Sequence, residues 1–154
     1  MDARVVNALL AAVVYTFKRV IHQEPKIGKP KMVKEIVPKY DVVTVLGFTE
    51  DMEGNVIYSF TKETALKIVS TMMGGIPYNQ LDELALSALG ELGNMATGAL
   101  AINLEKVGVK VDITPPTVIT GKEIKVAVDG IILNLPMNLF DQDDVELNLI
   151  LKKC

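Results

Sequence analysis

Glu91 and Asn94 stand three residues apart in the run LALSALGELGNMATGALAINL, residues 84 to 104, where nearly every other side chain is small or apolar. A carboxylate accepts hydrogen bonds and pairs with cations, while a carboxamide donates and accepts without carrying charge. If the run is helical, spacings of four, three and four gather Ser87, Glu91, Asn94 and Gly98 into a stripe about 60° wide. Ala85, Leu89, Leu92, Ala96 and Leu100 then fall on the opposite side, an apolar face able to dock on a sheet. The polar pair need not be buried, because it can point away from the packed side. Taken alone, an E-x-x-N pair on an outer helix face is usually solvation, since it recurs by chance.

The glycines of the same run call for a separate reason. Gly90, Gly93 and Gly98 each cost a helix about 1 kcal/mol relative to alanine. One explanation is close packing against a sheet or a neighbouring helix. The other is a surface cut low so that another protein can come within reach of Glu91 and Asn94. Gly90 and Gly93 lie toward the flank and suit the first explanation; Gly98 lies on the stripe itself.

Other residues with chemical capacity offer less. His22 is the only histidine, near the end of a predicted helix where a cation is favoured, with no serine or cysteine motif beside it to make it a catalytic base. Asp141, Asp143 and Asp144 in FDQDD lack the glycine and distant glutamate of an EF-hand loop and read as a solvated turn. Met72, Met73 and Met95 read as core filling. The glycine pair at 74 and 75 is a helix stop without the lysine of a phosphate loop.

The elements that must position the stripe follow from periodicity. Residues 2 to 22 carry Val6, Leu9, Leu10, Val13, Phe17 and Val20 at helical spacing, with Lys18 and Arg19 near the end. EPKIGKPK is a loop, and Met32 to Val37 an extended segment ended by Pro38. Asp41 to Phe48 and Gly54 to Phe60 read as an antiparallel hairpin across TEDME. Thr61 caps a helix that runs to Met73 before Gly74 and Gly75. Asn79 is the predicted N-cap of the long helix, with Asp82 and Glu83 in its first turn, and Gly108 offers a left-handed ending after Val107. Beyond TPP at 114 to 116, strands are predicted at Thr117 to Thr120, at Ile124 to Val128 turning through Asp129 and Gly130 into Ile131 to Leu135, and at Val145 to Leu151.

These elements predict an α/β chain of the α+β type: a largely antiparallel sheet with helices packed on a face. The 154 residues, 49% of them hydrophobic, fit one domain over 1–154 with a single core. A net charge of −3, with scattered lysines and arginines, gives no field for nucleic acid. The lone cysteine, Cys154, excludes an internal disulfide or a cysteine metal site and suits a reducing cytoplasm. No stretch is long enough to span a membrane, and the opening residues lack the positive start of an export signal.

SALGELGNMATGALA, with Ser87, Glu91, Asn94 and Gly98 in an S-x-x-x-E-x-x-N-x-x-x-G frame, resembles the signature of the CheC, CheX and FliY group of chemotaxis phosphatases. The likeness extends to MDARVVNAL, GNVIYSFTKETALKIVSTMMGG, YNQLDELALSALGELGN and VDITPPTV, and so covers essentially the whole chain. The resemblance implies a phosphatase that removes the phosphoryl group from the aspartyl phosphate of a CheY-type response regulator. Glu91 would pair with the regulator's active-site lysine and Asn94 would hold the attacking water. Ser87 and Gly98 would border the partner. No cofactor is expected on this chain; magnesium would belong to the partner receiver domain.

CheC-type relatives carry two copies of the motif. The first helix here has Arg4 three residues before Asn7 and no glutamate, so one active site per chain is expected. The resemblance separately implies a homodimer formed through the sheets, for which exposed strand edges are suited. A second reading keeps the fold and makes the chain a non-catalytic docking or regulatory module that binds a receiver domain or a flagellar motor component.

Overall fold

A computed structural model describes residues 1–37, 39–141 and 143–152, residue 143 by its backbone only. In chain order the elements are α1 (Ala3–Ile21), β1 (Lys26–Ile27), β2 (Lys31–Val33), β3 (Val42–Glu50), β4 (Gly54–Phe60), α2 (Lys62–Met72), α3 (Glu83–Glu105), β5 (Val111–Ile113), β6 (Thr117–Thr120), β7 (Ile131–Leu139) and β8 (Asp143–Leu151). The predicted hairpin forms as β3 and β4, paired from Val42 with Phe60 to Phe48 with Gly54. It lies within an eight-stranded antiparallel sheet. β8 lies beside β4, β7 beside β8, and the short β1 and β2 both pair with β7 at one edge. At the other edge β5 and β6 share β3 as neighbour.

Strand alternation gives the sheet two unlike faces. Val42, Leu46, Phe48, Val56, Tyr58 and Phe60 point to the side covered by the helices, where the main core forms. α1 contributes Val5, Leu9, Ala12, Val13 and Phe17 to that core, and α2 contributes Ala65, Ile68 and Val69. Asn103 Nδ2 donates to the Ala8 carbonyl at 3.1 Å, joining α3 to α1. The opposite face holds a smaller cluster of Ile36, Val43, Ile57, Ile132 and Ile150. The fold expected from the sequence is therefore the fold observed. No helix of the described residues is long and apolar enough to cross a membrane.

Several local expectations are corrected. Ile124 to Val128 is not a strand, and the Asp129–Gly130 hairpin does not form. Ile124, Val126 and Val128 instead pack on the smaller cluster, so their alternation records one-sided burial without ladder hydrogen bonds. The true hairpin joins β7 to β8 through a turn in which Phe140 and Asp141 take positive φ, 52° and 67°. That turn is the FDQDD stretch; Gln142 and the Asp143 side chain lie outside the described residues, as do Pro38 and Cys154. The extended segment at 32–37 is strand only through Val33, part of EPKIGKPK pairs as β1, and β5 was not foreseen. His22 is the left-handed C-cap of α1, with φ 55°. Met95 is 39% exposed and not core, whereas Met72 and Met73 do pack on it.

Candidate active site

The long helix starts three residues later than the sequence suggests. Asp82, not Asn79, is its N-cap: the Ala85 amide donates to Asp82 Oδ1 at 2.9 Å, and the Tyr78 hydroxyl donates to the same carboxylate at 2.9 Å. Two capping side chains competed, the Asn79 carboxamide and the Asp82 carboxylate, and the one that reaches the third helical amide won. These donors hold the Asp82 carboxyl below its ordinary value of 3.8, with the Ala85 amide the larger cause. Its folded pKa is depressed, so the stabilisation is present above that ordinary value and lost as pH falls through the folded value. Asp82→Ala is therefore expected to melt below the wild type at pH 7, with the gap closing on acidification below about pH 4; a gap that widens in acid refutes the cap.

From that start α3 packs against both α1 and the sheet, burying Ala85, Leu89, Leu92, Ala96 and Leu100. The hydroxyls of Tyr58 and Thr97 share a buried hydrogen bond of 2.8 Å, which ties the helix to β4. Burial pushes the Tyr58 hydroxyl well above its usual range, so it stays a neutral partner. With the inner side fixed, Ser87 and Glu91 are exposed and Asn94 and Gly98 half-buried, on the outer side. All four predicted site residues share one ridge. Neither Glu91 nor Asn94 has a side-chain hydrogen bond or ion pair with another described residue.

The ridge lies in a trough. On one side stands the segment from β5 to β6, with Ile113, Pro116 and Val118; on the other stands α1. Ser87, Gly90 and Glu91 share a shallow groove with Pro116 and Val118. Thr114 anchors that segment to β3: the Gly47 amide donates to Thr114 Oγ1 at 2.8 Å, and the Thr114 amide donates to the Gly47 carbonyl at 2.9 Å.

The two explanations for the glycines now separate by position. A Cβ at Gly93 would stand 3.0 Å from Thr44 Cγ2 and 3.1 Å from Leu46 Cδ1, and one at Gly90 3.3 Å from Val118 Cγ2. These two are close-packing glycines. A Cβ at Gly98 would meet, among the described residues, only Ile113 Cδ1 at 3.9 Å, ordinary contact, so packing does not require its missing side chain. Overpacking typically costs about 1–3 kcal/mol, whereas alanine gains a helix about 1 kcal/mol over glycine. Gly93→Ala is expected to lower the unfolding free energy by about 1 kcal/mol and Gly98→Ala to raise it by about 0.5–1 kcal/mol. Urea midpoints moving in the reverse order would contradict this division.

Among the described residues no group of three or more histidine, cysteine, aspartate or glutamate side chains could hold a metal ion. α1 presents Arg4 and Asn7 on its outer side, and Arg4 is engaged with Asp2 at 2.9 Å. What the sequence reading missed is the Tyr78–Asp82 latch and the exposure of Met95; a tyrosine four residues before an N-cap aspartate was the available signal.

Residues 42–135 match the family described as Chemotaxis phosphatase CheX. The CheY-P phosphatase CheX of Thermotoga maritima is 55% identical over 152 residues, covering 99% of this chain and 98% of its own. A CheC-like superfamily protein from Shewanella superposes with a TM-score of 0.89 at 25% identity, over 99% of this chain and 100% of that one. A chain of the CheX–CheY–BeF3–Mg2+ complex from Borrelia burgdorferi superposes with a TM-score of 0.83 at 27% identity, over 96% and 97% of the two chains.

Proposed function

The chain belongs to the CheX chemotaxis phosphatase family, and from that premise we propose that it hydrolyses the aspartyl phosphate of a CheY-type response regulator, ending the signal the phosphorylated regulator carries. The observation that carries the reading is the outward ridge of α3, on which Glu91 and Asn94 stand together without side-chain partners among the described residues. Groups so placed are available to another protein.

In this scheme the receiver brings the phosphoryl group and α3 brings the water. An acyl phosphate is already activated, so the catalyst chiefly has to place water in line with phosphorus and tolerate dispersed negative charge. The Asn94 carboxamide accepts from the water and donates to it or to a phosphoryl oxygen, and has no charge to repel the phosphate. The water oxygen bonds to phosphorus as the bond to the aspartyl oxygen breaks, and inorganic phosphate and a free carboxylate leave. Glu91 accepts from the receiver's lysine, a charge-assisted contact that fixes the docked geometry. Ser87 borders the partner, and Gly98 keeps the ridge low enough for its approach. Magnesium held by the receiver would neutralise charge on the phosphoryl oxygens.

The same proposal has the protein act as one 154-residue domain in the cytoplasm, with one site per chain, and pair with a second copy through the sheets. The exposed apolar side chains Met32 and Ile119, on the edge strands β2 and β6, support that pairing. The test of the activity is phosphate release from a phosphorylated receiver with and without the wild-type chain. Faster release is expected; binding with no acceleration would leave only a docking module.

A further inference from the structure

Beside the polar ridge, α3 carries large apolar side chains open to solvent. Leu84 is 56% exposed, Met95 39% and Ile102 59%. At 100° per residue Leu84 and Ile102 lie within about 20° of the direction of Glu91, and Met95 within about 40°, all on the side toward α1. They span 18 residues, about 27 Å of helix. Tyr15 of α1, 58% exposed, continues the surface across the groove it lines with Ala11, Ala99 and Ile102, its hydroxyl accepting from Arg19 Nη1 at 2.7 Å.

Single exposed apolar residues are ordinary. A row that brackets a polar pair is different, because a body that closes over Glu91 and Asn94 has to cover the residues in line with them. Met95 adjoins Asn94 in sequence, and Leu84 and Ile102 sit one on each side of Glu91 along the helix. We infer that Leu84, Met95, Ile102 and Tyr15 are the docking rail for the receiver domain. They supply apolar contact around the catalytic pair and shed water from it, as the surround of an interface hot spot does. The inference rests on the phosphatase reading for its choice of occupant, and it assigns affinity to the rail and chemistry to the ridge. On this inference a second copy of the chain pairs through the sheets and leaves this face to the receiver.

The test compares Met95→Glu, Ile102→Glu and the milder Ile102→Ala with the wild type. The readouts are the Kd for a receiver loaded with beryllium fluoride, the KM for phosphate release and the mass in solution. Each glutamate variant is expected to raise Kd and KM roughly tenfold or more, and Ile102→Ala about threefold, at unchanged mass. Val107→Glu, at an exposed position beyond the end of α3, serves as control and leaves both constants alone. Unchanged Kd in all three variants overturns the rail, and so does a fall in mass, which would make this face a self-interface. If the wild type binds the receiver without hastening phosphate loss, the phosphatase reading fails while the Kd values still decide the rail.

Discussion

Replacing Asn94 by alanine is expected to reduce phosphate release at saturating receiver by about 100-fold or more, close to the receiver's own decay, while Kd for the loaded receiver changes little. The reason lies in what remains after truncation. Asn94 is half-buried on the outer side of α3 and bonds to no described residue, so its loss breaks nothing that holds the fold. Water can still enter, but nothing orients it in line with phosphorus. Misplacement of a reacting group by about 1 Å costs on the order of 100-fold. Asn94→Asp is expected to be no rescue, because it adds a negative charge facing the phosphoryl oxygens. Full activity in Asn94→Ala would remove the carboxamide from the mechanism.

Glu91→Ala is expected to act through association, raising KM about 30-fold or more with a smaller effect on turnover. Glu91 is exposed, and in the proposed complex it would lose that water on meeting the receiver lysine. Removing it leaves that lysine without its acceptor in the closed complex, which is the costly way to break a charge pair. Glu91→Gln keeps an acceptor without the charge and should fall between alanine and wild type. The discriminating readout is the pair of constants for each variant: Glu91 variants should move KM, and Asn94 variants kcat. Unchanged affinity in Glu91→Ala would refute the gripping role.

The sequence made the functional helix readable because its inner and outer sides differ at a period of 3.6 residues. Leu89, Leu92, Ala96 and Leu100 against Ser87, Glu91, Asn94 and Gly98 leave one orientation that buries the apolar side, and α3 adopts it. The β3–β4 pair and the Thr61 cap were equally legible, each from local chemistry that tertiary contacts did not override. Ile124 to Val128 misled because alternation reports which side of an extended chain is covered, not whether its amides are paired. Its apolar residues rest on the far sheet face while Ile131 to Leu139 takes β8 as partner. β5 escaped because three residues, Val111 to Ile113, carry too short a pattern, and their strand character comes from pairing with Phe48 to Glu50. Met95 misled by type: methionine usually fills cores, but its place 40° from Glu91 on the outer arc of the helix, by the geometry of 100° per residue, was already in the spacing. Helical spacing had set Gly90 and Gly93 toward the flank and Gly98 on the stripe, but only Thr44, Leu46 and Val118, residues distant in sequence, show that the first two have little room for a Cβ.

The decisive measurement is single-turnover phosphate release from a pre-phosphorylated receiver with the chain in excess, wild type beside Asn94→Ala, at concentrations where both are shown to be bound. The wild type should release phosphate far faster than the receiver alone, and the variant should return the rate to near that of the receiver alone. A variant as fast as the wild type, or a wild type no faster than the receiver alone, would contradict a catalytic ridge on α3.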